Sequence, residues 1–336
     1  MADKPAVTST LIQGGVHNAI AHDSARKHVT GGAIYIDDIP EPAGTLFAAP
    51  GLSTKAHARI AGMDLSAVQA APGVVAVLTA TDIPGTNDVS PIHAGDDPVF
   101  AGDRVEFHGQ VLFAVIATSH DAARRAARLA KVEYEELPAV LTVEQALEQD
   151  LTVLPAHEMK RNEAAAAIAA APHRLGGTFR VGGQDHFYLE GQVSLAVPGE
   201  DGDVLIYCST QHPSEVQHNI AHVLGRPANA VTVECRRMGG GFGGKETQAS
   251  QWAAIAALAA VKLQRPVKCR LDRDDDMIAT GKRHDFRIDY EVGFDDRGRI
   301  LGIAFDHAVR CGYSADLSGA IADRAMFHAD NGYYLD

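Results

Sequence analysis

Arg237-Met238-Gly239-Gly240-Gly241-Phe242-Gly243-Gly244-Lys245-Glu246 stands between the strand-like VTVECRRM and the helical pattern KETQASQWAAIAALAAVKL. Five glycines fall within its six central residues. Glycine reaches positive φ without a Cβ penalty and lets a backbone approach a ligand closely. Consecutive N–H groups there can converge on an anion, and a following helix N-terminus adds favourable potential. A plain strand-to-helix turn rarely needs so many. Two phosphate-loop readings can be tested. Gly239 to Lys245 begins like a Walker A loop, but Glu246 stands where a Ser or Thr hydroxyl must meet Mg²⁺, which excludes it. Gly239-x-Gly241-x-x-Gly244 fits the dinucleotide fingerprint, with Asp272 as ribose-binding acid 28 residues past Gly244, beyond the usual ~20. Nicotinamide-dinucleotide binding therefore stays as an alternative.

Outward from the loop, helices and hairpins alternate. Upstream, QVSLAVPGEDGDVLIYCST reads as a hairpin turning at Gly-Glu-Asp-Gly, followed by a helix over Ser214–Leu224 with Gly225 beyond its end. Downstream, VKCRLDR reads as a strand, DDDMIAT as a short helix, and FRIDYEVGF with ILGIAFDHAVR as a second hairpin. Nearer the start, GAIYIDDIP, GVVAVLTA, QVLFAVIAT and KVEYEEL read as strands, and SHDAARRAARLA as a helix capped by Ser119 or Asp121. EQALEQ and NEAAAAIAAAPHR are helical. Hairpins mixed with helices point to α+β rather than a doubly wound sheet. The expected organisation is an extended arm over 1–28, a first domain over 29–142, a connector over 143–175 and a second domain over 176–336. The ending NGYYLD, directly after a helical stretch, reads as a cut rather than a terminus.

Composition excludes several classes. The 336 residues are 46% hydrophobic and 22% charged, as in globular proteins. A net charge of −13 repels phosphates and anionic membranes, so neither nucleic acid nor a membrane is an expected partner. MADKPAVTST lacks an apolar signal region, and no apolar run is long enough to span a bilayer. Cys208, Cys235, Cys269 and Cys311 are spaced 27, 34 and 42 apart, matching no metal or cluster motif, and read as buried thiols in a reducing, cytoplasmic setting. His218 and His222 share a helix face, but Asn219 replaces the Glu of H-E-x-x-H, so they read as ordinary histidines. His186 reads as structural.

MGGGFGGKE resembles the molybdopterin-site loop of the xanthine dehydrogenase and aldehyde oxidase family. The likeness runs in order from about Thr30: TGGAIYIDDIP, STKAHARI, YEELPAV, GGQDHFYLE, Ser209-Thr210-Gln211, QRPVKCRLDRDDDM, TGKRH and DRAMFHADN. It implies an α+β architecture, an a/b hammerhead domain followed by the first part of a molybdenum-cofactor-binding domain.

The resemblance also implies chemistry: a molybdenum–molybdopterin centre oxidising hypoxanthine and xanthine to urate with water as oxygen source. Electrons would pass through 2Fe-2S clusters and FAD to NAD on a partner subunit, in a bacterial heterotetramer. Gln211 matches the glutamine that hydrogen-bonds a molybdenum oxygen ligand, and Phe242 the residue whose N–H approaches another. Gly241 and Gly243 would allow that approach. Glu246 matches the glutamate that hydrogen-bonds the purine, and Arg324 the arginine facing its carbonyl oxygen. From the residues alone, Glu246 reads as a helix-dipole partner in a first helical turn, and Arg324 as a surface arginine pairing with Asp323 or Asp330. Both together resemble xanthine-type rather than aldehyde-oxidase-type members. The family's general-base glutamate and purine-stacking phenylalanines lie beyond this sequence, which implies an inactive fragment.

Overall fold

The computed structural model describes residues 17, 19–92 and 95–335. Its first compact unit ends at Ile34 and the second runs from Tyr35. In the first unit α1 (Ala25–Thr30) closes on Gly31 in the left-handed conformation. Helix therefore replaces part of the expected arm; the arm's residues 1–16 and 18 lie outside the described residues.

The second unit opens with β1 (Leu46–Leu52), β2 (Ala58–Asp64), α2 (Ser66–Gln69) and β3 (Val74–Leu78). β4 (Arg104–Val105), β5 (Val111–Ala117), α3 (His120–Ala127) and β6 (Lys131–Glu136) follow. Ser119 caps α3 by accepting the N–H of Ala122. Then come α4 (Val143–Glu148), α5 (Ala164–Ala170), β7 (His173–Val181), β8 (Val193–Pro198), β9 (Val204–Cys208) and α6 (Pro213–Leu224). The remainder is β10 (Val231–Glu234), α7 (Ala249–Leu263), β11 (Val267–Arg270), α8 (Arg273–Ala279), β12 (Asp285–Phe294), β13 (Ile300–Arg310) and α9 (Ser318–Phe327).

One seven-stranded sheet, in the order β10-β9-β8-β11-β1-β5-β3, carries the architecture. β1 pairs in parallel with β11, Leu46 opposite Val267, so strands on both sides of the expected boundary near 142 form one continuous sheet. β5 is buried along its whole length, between sheet neighbours and helix α3. α6 and α7 pack together against the sheet. Ala253–Ala260 of α7 are essentially inaccessible, which is why an alanine-rich helix with little polar surface is stable there. A second sheet, β13-β12-β7, is covered at one end by α5, which crosses where Gly293 and Gly302 leave no room for a Cβ. A third sheet, β4-β2-β6, is smaller.

Three expectations change. GAIYIDDIP is not a strand; its Ile36 and Asp37 N–H groups go to the Glu190 side chain instead of a ladder. α7 begins at Ala249, so Glu246 stands before the helix and not in its first turn. Cys208 and Cys269 are buried, whereas Cys235 and Cys311 sit one residue past a strand and are only half-buried.

A glycine-loop site built around Gln211

The segment between β10 and α7 is a tight coil whose Gly244 N–H donates to Gly241 O at 2.7 Å. Gly240 and Gly243 have φ of +96°, and Phe242 has +54°, a region that non-glycine residues enter only under constraint. The Phe242 ring is 75% exposed, so an apolar core does not supply that constraint. Gln211 supplies part of it. Its Oε1 accepts the N–H groups of Gly243 at 2.9 Å and Lys245 at 3.3 Å, and its own N–H donates to Lys245 O at 2.9 Å. A Cβ on Gly241 would lie 2.5 Å from Gln211 Oε1, so any side chain there would displace the Gln211 amide.

Beneath the loop lies a buried polar layer. Lys245 is fully enclosed, with its Nζ donating to Glu190 O at 2.6 Å and Ser209 Oγ at 2.7 Å and standing over the Tyr188 ring. Burial pushes the Lys245 ammonium below its usual pKa, and Glu190 acts in the opposite sense. Tyr188 donates its hydroxyl to Asp276 at 2.6 Å and receives Gln192 Nε2 at 2.9 Å; burial first, then Asp276, raises its pKa. The same Gln192 nitrogen donates to Gly244 O. His186 stacks on Tyr188, and burial lowers its pKa.

The structure thus brings Gln211, Gly241, Phe242 and Gly243 together. Glu246, just past the loop, is exposed and electrostatically coupled to Glu215 and Asp316. Asp316 accepts a hydrogen bond from Thr247, and His284 meets Ser318 at 2.8 Å, so the start of α9 is tied to the loop's exit. Arg324 projects from α9 and is exposed. Asp323, its expected surface partner, instead pairs with His157 at 2.7 Å, and Arg324 has no ion pair among the described residues. No hydrogen bond or ion pair joins Arg324 to Glu246 among the described residues. His218 and His222 are exposed, and the described residues contain no group of three metal-ligating side chains.

The dinucleotide reading fails on topology. β10 and β11, the strands flanking loop and helix, are separated in the sheet by β9 and β8, and four residues intervene between Gly244 and the first residue of α7. The concave side of the loop is filled by Gln211.

Comparison with known proteins agrees with the α+β framework. Residues 147–336 match the molybdopterin cofactor-binding domain, and residues 30–138 the a/b hammerhead domain of aldehyde oxidase and xanthine dehydrogenase. The chain belongs to the aldehyde oxidase and xanthine dehydrogenase family. It is 42% identical to xanthine dehydrogenase/oxidase of Gallus gallus over 97% of this chain and 24% of that protein. It is 44% identical to xanthine dehydrogenase of Calliphora vicina over 94% of this chain and 23% of that one. Aldehyde oxidoreductase from Desulfovibrio gigas superposes with a TM-score of 0.77 at 28% identity, over 85% of this chain and 34% of that one. Quinoline 2-oxidoreductase from Pseudomonas putida superposes at 0.75 and 27%, over 86% and 38%. The chain spans about a quarter of the curated relatives it matches.

Within the family frame, the loop suits a pterin-held molybdenum group. Gln211, whose Oε1 is bonded to the loop, has no acceptor for its Nε2 among the described residues, and the Phe242 N–H has none either. Glycines open the backbone beside them. Such a surface matches oxygen-rich ligands, which need donors and close approach. The motif drew attention to the loop, but Glu190, Ser209, Lys245 and Asp276 received no role from sequence. Glu190 closes GGQDHFYLE and Lys245 closes the glycine run, the one signal that could have marked them.

Proposed function

We propose that this chain forms the cofactor-facing loop and the purine-facing side chains of a xanthine dehydrogenase that converts hypoxanthine and xanthine to urate. The single observation that carries this reading is the orientation of Gln211: its oxygen is committed to the loop, which leaves its amide N–H₂, like the Phe242 N–H, without an acceptor among the described residues. Bound against that surface, a molybdenum–molybdopterin group supplies two-electron oxidation of a ring carbon with water as oxygen source. Gln211 and Phe242 would hold that group by donating hydrogen bonds to it, while Gly241 and Gly243 would allow its close approach. Glu246 hydrogen-bonds the purine ring, and Arg324 faces the carbonyl oxygen where charge accumulates.

Since the chain spans about a quarter of its relatives, it holds one wall of the site, and residues 1–336 alone are inactive on xanthine. In the same reading 29–142 is the hammerhead domain, 143–175 a connector and 176–336 the first part of the cofactor domain. Iron–sulfur clusters, FAD and NAD belong to a partner subunit in a cytoplasmic heterotetramer, without nucleic acid or membrane. An aldehyde-oxidising activity is the second reading, favoured by the likeness to the Desulfovibrio gigas enzyme. Purifying the complete enzyme, assaying bound molybdenum and pterin, and comparing xanthine with an aromatic aldehyde decides. Bound pterin with a preference for xanthine is expected; an aldehyde preference selects the second reading, and absence of pterin overturns both.

A further inference from the structure

Glu190 is 92% enclosed around its side chain, with only 8% left exposed, and it touches both ends of the glycine loop. At the entrance, its N–H donates to Gly239 O at 3.2 Å while its Oε2 accepts the Gly239 N–H at 2.8 Å. At the exit, its carbonyl oxygen accepts Lys245 Nζ at 2.6 Å, and its carboxylate lies 3.6 Å from that ammonium. Ser209 bridges the pair, donating to Glu190 Oε2 at 2.7 Å and accepting from Lys245 Nζ at 2.7 Å. The other carboxylate oxygen accepts the N–H groups of Ile36 at 3.0 Å and Asp37 at 3.4 Å. Five glycines make a chain segment with much conformational freedom to lose. A buried ion pair between its ends removes that freedom, because opening the loop would strand a charge away from water.

We propose that Glu190, Ser209 and Lys245 are positioning residues that hold Gln211 Nε2 and the Phe242 N–H in register for the cofactor, acting through the loop without touching the cofactor. Lys245 transmits the effect directly: its N–H and carbonyl oxygen grip the Gln211 side chain and backbone. A Gly239 Cβ would lie 2.5 Å from Glu190 Cβ, so the clasp leaves the entrance no slack. This inference depends on reading the loop as the cofactor-facing wall.

The test uses the complete enzyme purified with its cofactor, in four forms: wild type, Ser209→Ala, Ser209→Thr, and the double variant Glu190→Gln with Lys245→Met. The double variant removes both charges together and leaves neither stranded. Ser209→Ala is the mild form in case the double variant does not fold. Measured are melting temperature, released pterin fluorescence per protein, the rate of pterin loss on dialysis, and kcat and KM of the fraction still loaded. Removing the clasp is expected to weaken cofactor retention roughly 10–100-fold, the range for residues that orient metal-site groups from behind. Ser209→Ala should melt near wild type, lose pterin faster and show lower kcat at unchanged KM, and Ser209→Thr should restore retention. Folded Ser209→Ala enzyme with wild-type pterin retention and kcat overturns the proposal. A loss that tracks melting temperature alone, with no change in the loaded fraction, also overturns it. Wild-type enzyme without pterin instead overturns the reading of the loop itself.

Discussion

Gln211 Oε1 accepts the Gly243 N–H at 2.9 Å, and this bond fixes which way the Gln211 amide faces. An amide nitrogen at that position would oppose a donor with a donor, so the N–H₂ group turns outward. The outward donor is therefore a consequence of loop geometry.

Replacing Gln211 by Glu separates the two halves of that amide. A carboxylate still accepts from Gly243 and Lys245 but cannot donate outward. In the complete enzyme, the melting temperature should stay near wild type. Turnover should fall by about 10²–10³, the cost of losing one preorganised donor. Steady-state kinetics beside a melting curve check this; full activity in Gln211→Glu would show that the outward donor does no work.

Gly241→Ala and Gly243→Val attack the same surface differently. A Cβ at Gly241 would press on Gln211 Oε1 at 2.5 Å, whereas Gly243 has room but a φ of +96°. The first displaces the amide; the second strains the backbone of a β-branched residue. Both should lower pterin content more than they lower stability, as measured by acid-released pterin fluorescence against urea midpoint. Normal pterin in both variants would make the loop a simple turn.

Sequence revealed what is local. The Ser119 cap, the β12–β13 hairpin and the glycine run follow from spacing and turn chemistry. β7 escaped because glycines interrupt it and all nine residues are exposed, leaving no alternation of burial to read. β1 escaped because Pro50-Gly51 interrupts it, yet Gly51 is required where the Phe113 ring packs 2.1 Å from a Cβ position. GAIYIDDIP misled because its backbone donors satisfy a side chain distant in sequence. The parallel pairing of β1 with β11 and the Glu190–Lys245 clasp join remote segments, and no local pattern encodes either. The motif likewise brought Gln211 and the loop together, while α9 and Arg324 are placed by tertiary contacts at His284 and Thr247.

Gly85 offers a test of packing away from the site. Its N–H and that of Thr86 donate to the Val223 and His222 carbonyl oxygens in the last turn of α6, the His222 oxygen also accepting the Gly225 N–H. A Cβ at Gly85 would fall 2.0 Å from His222 O. Gly85→Ala should cost about 3 kcal/mol, the upper end for overpacking. Gly102→Ala, where nothing lies within 4 Å, should cost little. Chemical denaturation of both variants checks the contrast, and equal midpoints would refute the close approach.

Asp97 should give stability a pH dependence. Burial, then the charges of Asp316, Asp96 and Asp88, push its carboxyl up to about 7, against the hydrogen bond donated by Tyr313 at 2.8 Å. The folded state therefore favours the protonated acid. That contribution is complete below the ordinary value of 3.8 and is lost as pH rises through about 7. Asp97→Asn keeps an acceptor for Tyr313 and removes the charge. Urea midpoints across this window should fall with pH in wild type, fall less in the variant, and leave the variant more stable above pH 7. Parallel curves would remove Asp97 as the cause.

Arg324 decides the substrate class in the proposed reading. It is exposed on α9, and Asp323 is engaged by His157, so the expected surface pair with Asp323 is not what holds it. A guanidinium without an ion-pair partner among the described residues can meet a ligand, and the start of α9 is anchored through Ser318 to His284 and through Asp316 to Thr247 at the loop's exit. Against a purine, negative charge grows on the carbonyl oxygen during attack, and a cation there stabilises the transition state more than the bound substrate. Losing such a donor costs on the order of 3–4 kcal/mol, or about 10²–10³ in rate. Arg324→Met in the complete enzyme should therefore lose most of its rate on xanthine. A simple aldehyde develops no charge at that place and should lose much less. A surface arginine without a role would give a small stability change and equal effects on both substrates. Parallel kcat/KM measurements on xanthine and an aromatic aldehyde separate these outcomes. Equal losses would remove Arg324 from the site and leave the preference for purines to Glu246 alone.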